Sequence, residues 1–487
     1  MRAIVAVIDK RGERSASRRV VEMLEVFRCG GAEAFGVGTS KDLDVKSSLE
    51  NLQCSEAQAA VGQAFFKVMP WDEPQPTFTD GAALVFNGRV YNPPEPIDFR
   101  KEFEGAKLED GAKSIIGKFE GGFAFAIANS DNIVLGRDSI GLYPLYYSEN
   151  GDLFAAASER KALWRLGFDE VKSFPPGCMA VVDSRGIKME GVKPLGDVCL
   201  TLMSMEEAAE KLKNLIECSV RERVWKLNKV AVAFSGGLDS SIIAALAQQF
   251  DVEVHLIHVT MNKHSEREQA EGLIGTRMNL RLYGEEDVEN ALPKVLWSVE
   301  EPDPIKVAIG IPIFWAAEEA ARLGFRVMMA GQGADELFGG YMRYLSTYIS
   351  YGKEKAQRSM AADIMNMHRD NFERDVKVCL PHNVELRLPY AARNIVDFAM
   401  ELPIEMKIDP SGNGLRKIIL RRAAEKAGLS VQIVNRPKRA IQYSTGVDKA
   451  LKKLAKKEGL TLSGFIQKVF QTLKSQFINE GDVKVGV

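Results

Sequence analysis

At 487 residues the chain is longer than one hydrophobic core usually spans, so two domains are expected. With 46% hydrophobic and 27% charged residues and a formal net charge of -2, it reads as a soluble globular enzyme. That near-neutral balance lends no support to nucleic acid or a membrane surface as a partner.

Met1 leads directly into an apolar strand-like run, 3–9, with no signal peptide before it. The longest apolar stretch, 308–317, is about half of what a membrane-spanning helix needs, and a cytoplasmic location is expected. Cys29, Cys54, Cys178, Cys199, Cys218 and Cys379 are scattered, form no CxxC pair and join no histidine cluster, so they read as reduced thiols. Short runs at 82–87, 122–128, 133–137, 142–147 and 179–183, bounded by Gly, Pro, Asn and Asp, predict a layered antiparallel sheet in the first two hundred residues. A charged helix follows at 205–226, and the domain boundary is placed near 193–201.

The pattern then changes. Strands at 229–234, 252–260 and 325–330 alternate with helices at 240–249, 266–278 and 311–323, the signature of a doubly wound parallel α/β domain. From about Leu345 onward the reading is mostly helical. The basic stretch 449–457 alternates Lys with Leu and Ala and is read as a solvated helix face.

Two loops carry the chemistry. SGGLDSS, 235–241, joins a buried strand to a helix N-terminus, where backbone N–H groups and the helix dipole make an anion site. Gly236 and Gly237 let the backbone approach phosphates, Ser235, Ser240 and Ser241 add hydroxyl donors, and Asp239 is placed to hold magnesium against pyrophosphate oxygens. It is not a Walker A loop, and Gly117-Lys118, followed by Phe119, is not one either. AGQGADELFGGYMRY, 330–344, follows another strand of the same sheet, at the edge where open α/β sheets bind ligands. Asp335 and Glu336 there are adjacent carboxylates in a glycine-rich loop, one of them a candidate second metal contact.

SGGLDSS together with GQGADELFGGY closely resembles the synthetase domain of the glutamine-hydrolysing asparagine synthetase family, and VELRLPY, LRKIILRRA and RPKRAIQYSTGV extend the resemblance along the chain. It implies an ATP-pyrophosphatase domain at 200–487 behind an Ntn-hydrolase-like antiparallel β-sandwich at 1–195. It also implies ATP and Mg2+ as cofactors, a carboxylic substrate such as aspartate, ammonia or an amine as nitrogen donor, and is compatible with a homodimer. A carboxylate attacks the α-phosphorus of ATP, pyrophosphate leaves, and the nitrogen nucleophile converts the acyl-adenylate to an amide and AMP. By position, Asp239 and Asp335 resemble the magnesium and pyrophosphate ligands, with Gly331 and Gly333 in the same nucleotide loop. Val259 stands where the family's backbone meets adenine, and Lys438 resembles the lysine that offsets charge on the α-phosphate. One departure is Gln332, where the family has a Glu that serves the second step. An amide is no base at neutral pH, although it can still position a substrate. Glu336, Glu300 or Glu301 are alternative carboxylates, and a β-lactam-forming type of synthetase is a rival reading, as is a non-catalytic nucleotide-binding scaffold.

The amino-terminal half resembles the family's glutaminase domain through FNGRVYN, FEGGFAFAIA and LGRDSIGLYPLYY. An active domain exposes an N-terminal cysteine as nucleophile. Here Met1, Arg2 and Ala3 stand at that end, Arg89 replaces the usual acidic residue, and FRCGGAEAFG departs from the expected RGPD pattern, with Cys29 too deep to serve. A degenerate glutaminase domain is the expectation, with Asn87 and Gly88 kept as a structural turn.

Overall fold

The computed structural model describes residues 3–94, 96–196, 199–262, 277–411, 415–437 and 440–480. They divide into two units. The first takes the chain up to Leu195 together with Leu380–Asn383 and the residues from Gln471 on; the second takes Gly196–Cys379 and Val384–Phe470.

In the first unit the strand Ala3–Asp9 is buried along its whole length, which is why it reads as an unbroken apolar run. Ala3, Val5 and Val7 face the helix Ala16–Leu24, while Ile4, Ala6 and Ile8 face a second sheet through Ala83, Val85, Ala124 and Ala126. The first sheet is antiparallel, ordered Lys172–Ser173, Tyr146–Glu149, Leu153–Ala157, Ala3–Asp9, Ala59–Phe65, Ala34–Gly38, Leu43–Lys46. The second, also antiparallel, is ordered Gly186–Gly191, Cys178–Asp183, Ile133–Arg137, Glu120–Ala128, Ala82–Asn92, Thr77–Thr79. Its outer face, with Phe86, Phe123 and Phe125, is covered by Ala112, Ile115 and Ile116 of the helix Leu108–Lys118. The result is a helix–sheet–sheet–helix stack, the Ntn-hydrolase-like sandwich.

The strand expected at 142–147 starts only at Tyr146. The fully buried Asp138 carboxylate instead accepts backbone N–H groups from Phe123, Ile140, Gly141 and Leu142 at 2.7–3.3 Å, so this apolar segment bends around a side chain.

The second unit is built on a parallel sheet ordered Arg277–Leu282, Glu253–Thr260, Lys229–Ala233, Val327–Met329, Glu385–Arg387. The helix Met205–Val224 opens with a capping box between Ser204 and Glu207, and Asp303 caps the helix Pro304–Arg322. The helix expected at 266–278 lies mostly outside the described residues, and Arg277 and Met278 belong to a strand. Glu385–Arg387 is a strand inside a stretch read as helical. Helix Val447–Lys457 buries Val447, Ala450, Leu451, Leu454 and Ala455 and leaves its lysines outward, as its alternation implies. No helix among the described residues is long and apolar enough to cross a membrane, and among them Cys54, Cys178, Cys199, Cys218 and Cys379 are free thiols.

Candidate active site

Strand Lys229–Ala233 has parallel neighbours on both sides, reached by connections that run opposite ways from it. At such a reversal the loops leaving two adjacent strands part and open a crevice at their carboxyl ends. The loops leaving Lys229–Ala233 and Val327–Met329 are the two motifs, 235–241 and 330–344.

Gly237 is the N-cap of helix Leu238–Ala247. Ser235 Oγ accepts the Gly237 N–H at 3.3 Å and stands 3.3 Å from Ser240 Oγ. Ser241 Oγ donates to the Gly237 carbonyl at 2.9 Å, and Ser240 and Ser241 are both buried. The last two serines therefore shape the loop, while Ser235 is exposed at its mouth. Val259 is buried near the end of strand Glu253–Thr260.

The second loop lies directly over the first. A Cβ on Gly331 would stand 2.8 Å from the Cβ of Asp239, so only glycine admits the approach. Gly340 is tighter, with Asp335 Oδ1 1.8 Å from where a Cβ would be.

Between the loops lies a residue that the motif reading did not single out. Lys417 Nζ is 2.6 Å from both oxygens of Asp239 and 2.6 Å from Asp335 Oδ1, and its side chain is 2% exposed. Lys417 sits at φ 60° and ψ 38°, a left-handed conformation uncommon outside glycine, as N-cap of helix Ile418–Lys426. Nothing in LRKIILRRA marks this lysine above its basic neighbours.

Arg416 donates to the Gly340 carbonyl at 2.5 Å, Arg436 donates to the Gly236 carbonyl, and the Tyr390 hydroxyl donates to the Asp239 carbonyl at 3.2 Å. Arg421 bonds the carbonyls of Arg416, Val434 and Arg436, joining the two basic segments. Lys438 lies outside the described residues; two positions before it, Arg436 meets the loop 235–241.

Glu336 is buried, and its Oε1 accepts from the Tyr341 hydroxyl and from Asn371 Nδ2, the latter at 2.7 Å. Burial, reinforced by the charge of Asp335, pushes its carboxyl above the usual range. Gln332 is half-buried between Gly331 and the buried Gly333. Glu300 pairs with buried Lys377 at 2.9 Å, and Glu301 pairs with Lys306.

Two carboxylates from different loops thus converge on one cation position beside a helix N-terminus. The described residues contain no group of three or more His, Cys, Asp or Glu that could hold a metal. The two carboxylates suit a hard divalent cation such as Mg2+, which takes oxygen ligands, and would be the residues to hold it.

In the first unit, Arg89 forms a two-pronged ion pair with Asp72 at 2.8 and 3.0 Å, both side chains at most 3% exposed. Asn87 Nδ2 donates to Ser158 Oγ at 3.3 Å.

The class is that of an ATP-dependent ligase. The asparagine synthase family profile matches residues 211–354 and 348–472, and a glutamine amidotransferase domain profile matches 65–165. The chain belongs to the asparagine synthase family, enzymes of ATP-dependent amide synthesis. It is 33% identical over 466 residues to the Methanocaldococcus jannaschii protein assigned as asparagine synthetase 1, glutamine-hydrolyzing, covering 84% of this chain and 86% of that one. It is 26% identical to asparagine synthetase 2 of Arabidopsis thaliana over 81% of this chain and 73% of the relative. To asparagine synthetase B of Escherichia coli it is 26% identical over 75% of this chain and 70% of the relative.

Proposed function

We propose that the chain activates a carboxylic acid as its acyl-adenylate and passes the acyl group to ammonia or an amine, aspartate being the leading substrate. The observation that carries this is the meeting of Asp239 and Asp335 on one cation position at the carboxyl ends of adjacent strands. On this reading these two carboxylates hold Mg2+, which supplies charge neutralisation for pyrophosphate as it departs. The loop 235–241 receives the phosphates on its N–H groups, Val259 flanks the adenine, and Lys438 compensates charge on the α-phosphate. With Mg2+ on these carboxylates, the Lys417 ammonium would be freed to pair with phosphate oxygens.

The first unit is proposed not to hydrolyse glutamine. FNGRVYN is not the turn expected at Asn87 and Gly88 but part of strand Ala82–Asn92, and within it the Arg89–Asp72 pair fills a buried position with a guanidinium already satisfied by a carboxylate, so that position 89 offers no acid to grip a substrate amine. The nitrogen is then taken as free ammonia, as a substrate amine, or from a separate glutaminase.

A second reading, activation of another carboxylic acid, is favoured by Gln332 at the family's Glu position. ATP–pyrophosphate exchange with a panel of carboxylic acids separates the two. Exchange on aspartate with asparagine and AMP as products supports the first, and exchange on a different acid supports the second. Silence from every acid overturns the adenylation reading, and full exchange by Asp239→Asn overturns the assignment of Asp239 to the metal site. Glutamine hydrolysis above background overturns the proposal for the first unit.

A further inference from the structure

The amide-forming reading leaves an unmet need: Gln332 is neutral where the second step calls for a carboxylate. The structure offers a carboxylate behind it. A π-helical turn, His368–Phe372, runs into helix Glu373–Cys379, and such turns re-aim side chains and cluster at functional sites. The turn lies along the Gln332 loop. Asn371 donates to Glu336 at 2.7 Å, and the Phe372 ring stands 3.4 Å from where a Cβ on Gly333 would be.

One helical turn past Asn371 is Asp375, fully buried. Arg374 Nε donates to its Oδ1 at 2.6 Å, and Arg374 is 3% exposed and tied back to the Asp370 carbonyl at 3.2 Å. Its Oδ2 completes no hydrogen bond of proper geometry, although the Gln332 side-chain amide stands beside the carboxyl and favours its ionised form against the burial that raises its pKa. A buried carboxylate oxygen left open is costly, and retention of one beside a reaction loop calls for a role.

We propose that Asp375 is a positioning residue for the second step, taking an N–H of the Gln332 amide on Oδ2 so that the Gln332 carbonyl oxygen faces the incoming nitrogen nucleophile. An amide alone has two orientations of nearly equal size; an acceptor-only partner behind it selects one. In that orientation Gln332 accepts an N–H of ammonia or amine and aligns its lone pair on the acyl carbon, with the buried anion one residue behind. Asp375 and Gln332 together thereby stand in for a single carboxylate at position 332.

The inference rests on the proposed amide-forming reaction, and its test reads the two half-reactions separately on the full chain. Wild-type exchange must first be seen with some acid; its absence removes the proposed function. Given exchange, Asp375→Asn is expected to lower product formation with saturating acid roughly ten- to hundred-fold more than it lowers exchange, with a raised KM for ammonia or hydroxylamine, as misalignment of a reacting group costs rates of that order. The exchanged pair Gln332→Glu with Asp375→Asn, which moves the carboxylate forward, is expected to recover most of that loss. Equal losses in both half-reactions, which a merely structural role would give, overturn the proposal. So does an unaltered nucleophile KM with no gain from the exchanged pair. Should Asp375→Asn fail to fold, Gln332→Leu, which keeps the size and removes the acceptor, is expected to show the same split, and parity of its half-reactions counts against the proposal.

Discussion

The Lys417 ammonium lies 2.6 Å from Asp239 and 2.6 Å from Asp335, so one buried cation already occupies the point where the two loops meet. Lys417→Met leaves two partly buried carboxylates facing one another. Breaking such a pair costs about 3 kcal/mol, and a divalent ion can fill the gap. In chelator the variant is expected to unfold at lower urea than the parent by that margin, with a good part recovered in excess Mg2+. A loss indifferent to Mg2+ sinks the claim that lysine and metal share the position.

Gly340→Ala tests the same centre sterically. The new methyl must displace the Asp335 carboxylate, 1.8 Å from its place, or push on Lys417. Nucleotide-dependent protection of this loop against hydrogen exchange is expected to vanish while the sheet stays protected. Undiminished protection refutes the tight fit.

Arg89→Leu removes the guanidinium from buried Asp72, which also accepts the N–H groups of Val68 and Met69 at 3.1 and 2.9 Å. The expected cost is about 3 kcal/mol, seen as faster hydrogen exchange in strands Ala82–Asn92 and Glu120–Ala128. A change below ~1 kcal/mol makes the pair incidental to this fold.

Lys407 is fully buried, donates to the Ala399 carbonyl at 2.5 Å, and is pushed down to about 7 by desolvation. A lysine whose folded pKa is depressed holds fewer protons folded than unfolded between pH 7 and its unfolded value of 10.5. The penalty for its charge is complete below pH 7 and is relieved as pH rises through that window. Lys407→Met is expected to be the more stable protein at neutral pH, its advantage shrinking by about 1.4 kcal/mol per pH unit toward pH 10. A pH-independent difference from pH 8 to 10 rejects this.

Much of the second unit's sheet is legible in sequence because strands buried on both faces read as apolar runs, as in the VAVA of Lys229–Ala233. Arg277–Leu282 escapes notice because this edge strand is half polar, and Glu385–Arg387 because three residues give no period. In the candidate site, the residues found by motif are those whose local chain announces a glycine turn and a helix start. Lys417 and Asp375 are set by tertiary placement alone: one lysine among several, one of two acids in ERDVKVC. The structure supplies partners for them that no local spacing encodes.

The hydrogen bonds that close the centre join residues 151, 178 and 200 positions apart, from Tyr390 to Asp239, Lys417 to Asp239 and Arg436 to Gly236. Contacts of that reach form only after the entropy of closing long loops has been met, so they come late in folding. On the ribosome, the loop 235–241 emerges long before the side chains that neutralise and brace it. A chain halted short of Leu415 carries Asp239 and Asp335 as facing acids with no lysine between them. The candidate site is thus a feature of the finished chain, and truncations that end between Arg387 and Lys417 remove its lysine while leaving the sequence of every strand of the sheet in place.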